Sequence, residues 1–389
     1  MRILIEILLL TVILNQGILN EKKVLNQFTS SSDTLLIRTE KQKGNGLFSS
    51  GVTDIHFRDT VEVFPYSVKY PKQITNFKRI QMSTDFGAAK PNYVDIISGK
   101  RGEEEVFIVD ENNNKDLTDD SIRIFKPIKW RSNIDLIKCK YLISNGLEIV
   151  EDSSWIRIGT IDNDIYYGRS EHLIANFTLN KLQYSVGVID SRAGDFVYGY
   201  YPEIALLSSN NELKDTLLQK DILKLGEFIN LNGNYYRFQN ITNNGEFITL
   251  IKENNFDKET GIQVGMIAPD FECKTVAGDT AKSSMLHDRI IVIANSCGCG
   301  GDRLSTEAYY EMRKEYANDI YIFRLDSKIE KGVDGFQIDM EEKFNSDIYN
   351  KFRNAYCSRN CYVIDKSNRI IDRFPVSDWK LNLPRHIQP

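Results

Sequence analysis

The sequence has no strong excess of charge of either sign, and little of it is apolar enough to cross a membrane. Its 389 residues include 49 lysines and arginines and 54 aspartates and glutamates, so the formal net charge is −5. Such an even balance gives no electrostatic basis for binding nucleic acid or an anionic membrane surface. Beyond the first 14 residues, no stretch is long and apolar enough to span a bilayer. The sequence therefore predicts no nucleic-acid partner, and no stable membrane span once the N-terminal run is removed.

Motifs with a recognisable catalytic spacing are missing from most of the chain. Residues 50–252 contain no catalytic triad, phosphate-binding loop or metal-ligand cluster. Cysteine is scarce, with six in the whole chain, and Cys139 and Cys273 fall in strand patterns typical of small, inert buried residues. The other four cysteines form two close pairs, Cys297 with Cys299 and Cys357 with Cys361. Thiol chemistry is therefore expected in the C-terminal third, and no cofactor is predicted.

The N-terminal segment has the layout of a secretory signal. Met1 to Leu14 carries one positive charge followed by an apolar run. Glu6 interrupts this run and no small-x-small cleavage site follows it, so a membrane anchor and a buried first strand are alternatives. We interpret residues 1–20 as a signal peptide, which predicts an exported protein of the periplasm or cell envelope.

Residues 50–252 have the patterns of a β-rich domain, and residues 24–52 have the mixed polar composition of a loose lead-in. Apolar residues alternate with polar ones from residue 54 to residue 64, which predicts a half-buried strand. Two segments, 93–110 and 173–190, read as hairpins that each end in an aspartate. Their similarity suggests an internal duplication into two similar β halves.

The character of the sequence changes after residue 252. Residues 253–261 are polar and charged and are interpreted as a linker, and residues 262–389 alternate between strand and helix patterns. The predicted fold class is therefore α+β and multidomain, with a β-rich N-terminal domain followed by an α/β domain.

One loop of the β-rich part invites a calcium interpretation. The first, third, fifth and seventh positions of an oxygen-ligand loop are occupied by Asp110, Asn112, Asn114 and Asp116. Against this, Lys115 stands where the sharp turn requires glycine, and Ser121 stands where the bidentate glutamate belongs. The alternative is a solvated loop whose Asx side chains bind their own backbone. The sequence predicts calcium binding here only weakly, and it indicates no other metal site in residues 50–252.

The most informative stretch is residues 290–302. A β-branched apolar run begins at Ile290 and stops at Ser296-Cys-Gly-Cys, and a helical pattern follows from Leu304 to Tyr316. The N–H groups and the dipole at a helix start stabilise a thiolate and lower its pKa. A buried strand that delivers a thiol to the first turn of a helix is typical of a redox site.

The C-terminal part resembles the thioredoxin-like redoxins. The resemblance rests on Val264-Gly-Met-Ile-Ala-Pro-Asp-Phe-Glu, on the strand that ends at Cys297, and on Tyr362-Val-Ile-Asp-Lys-Ser-Asn-Arg-Ile-Ile-Asp. It covers roughly residues 262–375, under a third of the chain, and it is similar to TlpA-type envelope thiol–disulfide oxidoreductases and to peroxiredoxin-type antioxidants. It implies a thioredoxin-like α/β fold and exchange with protein thiols or disulfides of the cell envelope.

Site roles follow from this resemblance. Cys297 matches the family's first, nucleophilic cysteine, Cys299 becomes the resolving thiol, and Arg359 is expected to stabilise the thiolate by its charge. The chain departs from the family because Cys-Gly-Cys replaces Cys-x-x-Cys, and the peroxiredoxin signature is only partial, which makes a peroxidase less favoured. A disulfide across a single residue closes a tight ring and is expected to be readily reduced.

The second cysteine pair leaves three interpretations open. Cys357 or Cys361 can resolve the disulfide or pass electrons in a relay with the first pair. The four cysteines can instead form structural disulfides that lock an inactive redoxin, which then serves as a binding module of the envelope. They can also form a thiolate site for zinc or copper(I).

Overall fold

The computed structural model describes residues 27–31, 33–48, 51–59, 64, 66–84, 93–190, 194–210, 212–296, 303–326, 336–352 and 359–387. The predicted signal peptide lies outside the described residues. No helix in the described ranges has the length and apolar character needed to cross a membrane.

Strands dominate the first two-thirds of the chain. In chain order they are β1 (Gln27–Ser31), β2 (Thr34–Arg38), β3 (Glu40–Lys43), β4 (Thr53–Asp54), β5 (Arg58–Asp59), β6 (Thr75–Ser83), β7 (Tyr93–Arg101), β8 (Glu104–Val109), β9 (Arg123–Ile124), β10 (Ile137–Ser144), β11 (Ile149–Ile161), β12 (Asp164–Arg169), β13 (Glu171–Leu179), β14 (Leu182–Asp190), β15 (Pro202–Ser209), β16 (Glu212–Leu213), β17 (Leu223–Lys224), β18 (Phe228–Leu231), β19 (Asn234–Ile241) and β20 (Phe247–Glu253).

The remaining strands and the helices belong to the C-terminal part. They are β21 (Glu272–Lys274), β22 (Thr280–Lys282), β23 (Ile290–Asn295), α1 (Arg303–Tyr316), β24 (Ile320–Asp326), β25 (Gln337–Asp339), α2 (Ser346–Phe352), β26 (Asn360–Ile364), β27 (Ile370–Pro375), α3 (Trp379–Asn382) and α4 (Pro384–Ile387).

The described strands of the β-rich part form four sheets, and two pairs of these sheets each enclose a large apolar core. One core lies between the sheet β1-β2-β20-β19-β18 and the sheet β16-β15-β14-β13-β3. The other lies between β10-β11-β12-β4 and β5-β6-β7-β8-β9. Both predicted hairpins form, as β7/β8 and β13/β14. Their origin in a duplication, and the division into two similar halves, stay predictions.

The predicted loose lead-in is wrong for the described residues before position 50. Strand β2 pairs with β20, and Leu35 and Ile37 are buried in the first core. Strand β3 pairs with β13 along the other sheet of that core. The segment Thr-Leu-Leu-Ile-Arg is too short for its alternation to stand out in sequence, so its partner strand, about 200 residues later, decides the structure.

The C-terminal part is a mixed five-stranded sheet with helices on both faces, and its strand order is β25-β24-β23-β26-β27. Strands β23, β24 and β25 are parallel, whereas β26 runs antiparallel to β23 and to β27. Helix α1 packs on one face through Ala308, Tyr309 and Met312, and α2 packs on the other through Ile348 and Phe352. The described residues of this part therefore have the α/β arrangement that the sequence predicts.

Local chemistry explains why strand and helix meet at the centre of this sheet. Strand β23 is a run of β-branched and small residues that is buried on both faces, as expected for a central parallel strand. The buried residues of α1 recur at helical spacing, so one stripe of the helix faces the sheet.

Candidate functional site

The predicted redox cysteines follow the carboxyl end of β23 in the sequence. Asn295 and Ser296 are buried there, 1% and 3% exposed, and the Ser296 N–H donates to the Leu325 carbonyl at 3.0 Å. Helix α1 begins at Arg303. The predicted catalytic residues Cys297 and Cys299 lie between these two elements and outside the described residues. The predicted order of strand, cysteine pair and helix is therefore consistent with the elements on either side.

The second cysteine pair is described only in part, because Cys357 also lies outside the described residues. Cys361 lies on β26 opposite Ala294 of β23, and Ala294 precedes Cys297 by three residues in the sequence. Its side chain is fully buried in the core under α1, and it is a free thiol whose pKa is raised by burial. Deep burial limits the access of this thiol to a partner. Its role as a resolving or disulfide-forming cysteine stays a prediction.

Arg359, the predicted thiolate-stabilising residue, directly precedes β26. It is exposed, and its carbonyl accepts a hydrogen bond from the Val376 N–H at 2.7 Å. The structure thus places Arg359 at the same end of the sheet as the carboxyl end of β23. Its action on the thiolate stays a prediction.

The side chain of Asn295 makes hydrogen bonds to two elements at this end of the sheet. The sequence did not indicate this role of Asn295. Its side-chain amide donates to the Phe352 carbonyl at 3.1 Å and to the Asn360 carbonyl at 3.4 Å. These carbonyls belong to the last residue of α2 and the first residue of β26. One buried amide therefore joins the last residue of β23 to both ends of the segment that carries Cys357.

The two remaining cysteines behave as the sequence predicts. Cys139 and Cys273 are both buried free thiols within apolar cores. Burial raises the pKa of the Cys273 thiol to about 12, and it raises the pKa of Cys139 as well. A thiol that holds its proton so strongly is a poor nucleophile.

The four calcium-candidate residues bind the backbone of their own loop. The carboxylate of Asp110 accepts hydrogen bonds from the N–H groups of Asn114 and Lys115 at 3.0 and 3.1 Å. Asn112 accepts from the Asn114 N–H, Asn114 from the Asp116 N–H, and Asp116 from the N–H of Thr118. These contacts match the alternative of Asx turns, and calcium binding stays a prediction.

The ammonium of Lys115 already supplies positive charge beneath this loop. It lies 3.1 Å from an oxygen of Asp95 and 3.4 Å from one of Asp110, and it donates to the Tyr93 carbonyl at 2.5 Å. In the described ranges, no group of three or more histidine, cysteine, aspartate or glutamate side chains has the arrangement of a metal site. Lys115, which stands at the glycine position of a calcium loop, thus places a positive charge next to the carboxylates of Asp95 and Asp110.

We expect Asp120→Asn to stabilise the protein at alkaline pH. Burial raises the pKa of Asp120 to about 7, helped by the nearby carboxylates of Asp110, Asp119 and Glu111. A carboxyl group with a raised folded-state pKa favours folding below its unfolded pKa and loses that contribution as pH rises toward 7. The variant should therefore gain on the order of 1 kcal/mol over the wild type at pH 8, and little at pH 4. Urea unfolding across this pH range measures the difference.

The control is Asp116→Asn in the same loop. Hydrogen bonds from Lys69 and Thr118 lower the pKa of Asp116 to about 2, so its neutralisation should destabilise the protein near pH 7. Equal effects of the two substitutions at pH 8 would show that burial of Asp120 does not control its titration.

Comparison with solved structures finds likeness over about a third of the chain. No family model matches the chain, and no curated protein matches it in sequence. The thioredoxin domain of a thiol-disulfide oxidoreductase from Bacteroides vulgatus is 10% identical, with a TM-score of 0.29, over 33% of this chain and 100% of that domain. A thiol:disulfide interchange protein of the thioredoxin family from Chlorobium tepidum is 13% identical, with a TM-score of 0.26, over 31% of this chain and 95% of that one. The exposed lipoprotein thioredoxin of Streptococcus pneumoniae is 20% identical, with a TM-score of 0.21, over 28% of this chain and 89% of that one.

Proposed function

We propose that this protein is an exported thiol–disulfide oxidoreductase that acts through Cys297 and Cys299. The observation that carries the proposal is the course of the chain at the centre of the C-terminal sheet. The buried strand β23 ends one residue before Ser296-Cys297, and a 14-residue helix starts at Arg303. A thiol delivered to a helix start is favoured as a thiolate, which is the reactive form in disulfide exchange.

The proposed reaction is a two-step exchange with a disulfide of an envelope protein. The Cys297 thiolate attacks one sulfur of the substrate disulfide, forms a mixed disulfide and releases the other sulfur as a thiolate. Cys299 then attacks Cys297, which frees the second substrate thiol and leaves a Cys297–Cys299 disulfide. The substrate gains two electrons and two protons, and an external dithiol returns the protein to its reduced form. In the reverse direction the same pair oxidises a substrate dithiol.

The roles around the pair follow the same chemistry. Arg359 contributes positive charge beside the reacting sulfur, and Cys357, with Cys361, is a second candidate to resolve the mixed disulfide. The N-terminal signal places the reaction outside the cytoplasm, where disulfides form and persist. The β-rich part then serves as an accessory domain that meets the protein substrate.

The test is reduction of insulin disulfides by the full-length protein with dithiothreitol as electron donor. We expect Cys297→Ala to abolish turnover, because it removes the proposed attacking thiolate. Cys299→Ala should retain a single attack and trap the mixed disulfide. The control is Cys139→Ala, which removes a buried thiol of the β-rich part and should leave the rate unchanged. The mechanism is wrong if the Cys297→Ala/Cys299→Ala double variant reduces insulin at the wild-type rate.

The Cys-Gly-Cys spacing favours one second candidate, a redoxin domain that binds an envelope partner without turnover. In that case the cysteines are locked in stable disulfides. Mass-spectrometric mapping of the disulfides, with metal analysis of the same sample, separates the two functions. A crosslink from Cys297 or Cys299 to Cys357 or Cys361 that resists mild reductant supports the binding module, and bound zinc or copper supports a thiolate metal site.

A further inference from the structure

The second core of the β-rich part is open at one end, where an edge strand of each of its two sheets contributes to a cavity. Strand β9 is an edge of one sheet, and β10 is an edge of the other. The cavity has a volume of about 430 Å³, which is within the range of small-molecule sites in proteins. Both sheets supply its apolar lining, which consists of Phe107, Ile122, Ile124, Leu136, Ile137 and Ile158. Three of these residues belong to the core itself, so the cavity reaches from the surface into the interior.

Large apolar side chains are exposed around this cavity. Ile124 lines it and is 47% exposed. Trp130 and Ile134 lie on the connection between β9 and β10, and they are 48% and 76% exposed. A single exposed apolar residue is common, but several of them around one cavity are typical of a binding site.

Hydrogen bonds hold the connection between β9 and β10 in place beside the cavity. The N–H of Thr160, on β11, donates to the Lys126 carbonyl at 2.9 Å, and its carbonyl accepts from the Ile128 N–H at 3.0 Å. The guanidinium of Arg157, also on β11, donates to the carbonyls of Trp130 and Ser132 at 2.9 and 2.8 Å. The cavity wall is therefore formed before any ligand arrives, which lowers the entropic cost of binding.

Positive charge is concentrated in this part of the chain. Residues 123–140 include six lysines and arginines and one aspartate, although the whole chain has a net charge of −5. The cavity lining itself contains three cations, Arg101, Arg123 and Lys126, and one carboxylate, Asp135. The charge of the lining is thus complementary to an anion.

Two of the three cations are held only by exposed ion pairs. Arg101 pairs with Glu104 at 2.7 Å and Lys126 pairs with Asp135 at 3.1 Å, and all four side chains are between 41% and 65% exposed. Ion pairs that are so exposed contribute little to stability, so these two cations can turn to another anion. Arg123 is more firmly fixed, because it donates to the Glu111 carboxylate at 2.7 Å and to the Ser121 carbonyl at 3.0 Å.

We propose that this cavity binds an amphipathic organic anion, a single apolar chain that ends in a carboxylate. The chain lies against the apolar lining, and its removal from water drives binding. The carboxylate stays at the mouth, where Arg101 and Lys126 form charge-assisted hydrogen bonds to it. A recess between two sheets encloses one molecule taken from solution, whereas the surface of a bilayer remains outside it. The site belongs to the β-rich part and is independent of the thiol chemistry proposed above.

The test is calorimetric titration of the full-length protein with decanoate below its micellar concentration. We expect saturable binding of one decanoate per protein. Acetate, which lacks the chain, should not compete, and 1-decanol, which lacks the charge, should compete more weakly than decanoate itself. The absence of saturable decanoate binding overturns the proposal, and so does equal competition by 1-decanol.

Two matched pairs of variants locate the site. Ile124→Gln should weaken decanoate binding about fivefold, because it removes apolar contact at the mouth. Its control is Ile149→Gln, which makes the same change at a residue of β11 that is 62% exposed and does not line the cavity. Lys126→Gln should weaken binding by up to about fivefold. Its control is Lys140→Gln, at a side chain of the same basic segment that is 59% exposed and also lies outside the lining.

Equal effects within both pairs would place the ligand elsewhere and overturn the proposal. Ile124 and Lys126 are exposed, so both variants should fold, which circular dichroism checks. If Ile124→Gln does not fold, the comparison of Lys126→Gln with Lys140→Gln decides.

Co-sedimentation with phosphatidylglycerol vesicles separates a free ligand from a membrane surface. We expect the protein to bind decanoate and to stay in solution when the vesicles sediment. Sedimentation with the vesicles that is lost in Ile124→Gln, without decanoate binding by the wild type, would assign this surface to a membrane and overturn the proposal. The Cys297→Ala/Cys299→Ala variant should bind decanoate like the wild type, so this inference and the proposed function can fail separately.

Discussion

Asp95→Asn is expected to lower the free energy of unfolding by about 3–5 kcal/mol, because it breaks a buried ion pair from one side. Asp95 is completely buried on β7, and Arg79 on β6 is 2% exposed. The carboxylate lies 2.8 and 2.7 Å from two nitrogens of Arg79, and it accepts from the Tyr66 hydroxyl at 2.9 Å. The ammonium of Lys115 lies 3.1 Å from Oδ2 of Asp95, the oxygen that accepts from Tyr66. Asparagine keeps the shape but leaves the buried guanidinium without its countercharge.

Urea unfolding at pH 7 measures this effect, and Glu104→Gln is its control. Glu104 pairs with Arg101 at 2.7 Å, but their side chains are 41% and 45% exposed, so loss of this pair should cost at most about 1 kcal/mol. The two substitutions remove one carboxylate charge each from neighbouring strands of one sheet. Similar losses in both variants would contradict the view that burial gives the Asp95 pair its importance.

Arg373→Met is expected to cost a similar 3–5 kcal/mol, because it breaks the buried ion pair that joins the C-terminal sheet to the β-rich part. Arg373 on β27 is 3% exposed and pairs with Glu227, and it also donates to the Ile222 carbonyl at 3.3 Å. Nearby, the Gln263 side chain binds both backbone groups of Phe228 on the edge strand β18. Methionine fills the space but removes the countercharge of the Glu227 carboxylate, which then keeps the hydrogen bond from the Lys224 N–H at 2.8 Å.

Urea unfolding followed by fluorescence measures the loss, and limited proteolysis between residues 253 and 267 reports whether the contact has opened. The control is Lys220→Met, which removes a charge from the same region at a side chain that is 43% exposed and 3.9 Å from Asp372. It should cost at most about 1 kcal/mol. If Arg373→Met unfolds like the wild type and is cleaved no faster, the ion pair does not hold the two parts together.

Several elements were predictable because their signal is local. The β-branched run of β23 ends next to a cysteine pair, and the periodic segment that follows is helix α1, which begins one residue before the predicted start. Both hairpins of the β-rich part and the late hairpin β26/β27 also form as the alternation indicated. Burial of Cys139 and Cys273 followed from their strand patterns in the same way.

Other features were not predictable because they depend on partners far along the chain. Strand β2 lies in a segment of polar composition, and only its ladder with β20 shows that it belongs to a sheet. The loop at Asp110 has a partial calcium pattern in the sequence, and only the fold shows that the ammonium of Lys115 lies 3.1 Å from Asp95. Arg324 reads as one polar residue in an apolar strand, and only its register with β23 brings it to the start of α1. Pairing of distant residues is not encoded in any local pattern.

By itself, the sequence predicted that the chemistry of this protein belongs to the thiols near residue 297, and it predicted the buried strand and the helix on either side of them. Periodicity and the chemistry of thiolates at helix starts suffice for that conclusion. Only the tertiary structure decided which charged residues of the C-terminal sheet are buried and which are exposed. Electrostatic effects depend on distance and burial, and both are set by which strands lie side by side. The burial of Arg324 and the exposure of Arg359 both follow from the arrangement of the strands, and no local pattern in the sequence indicates either.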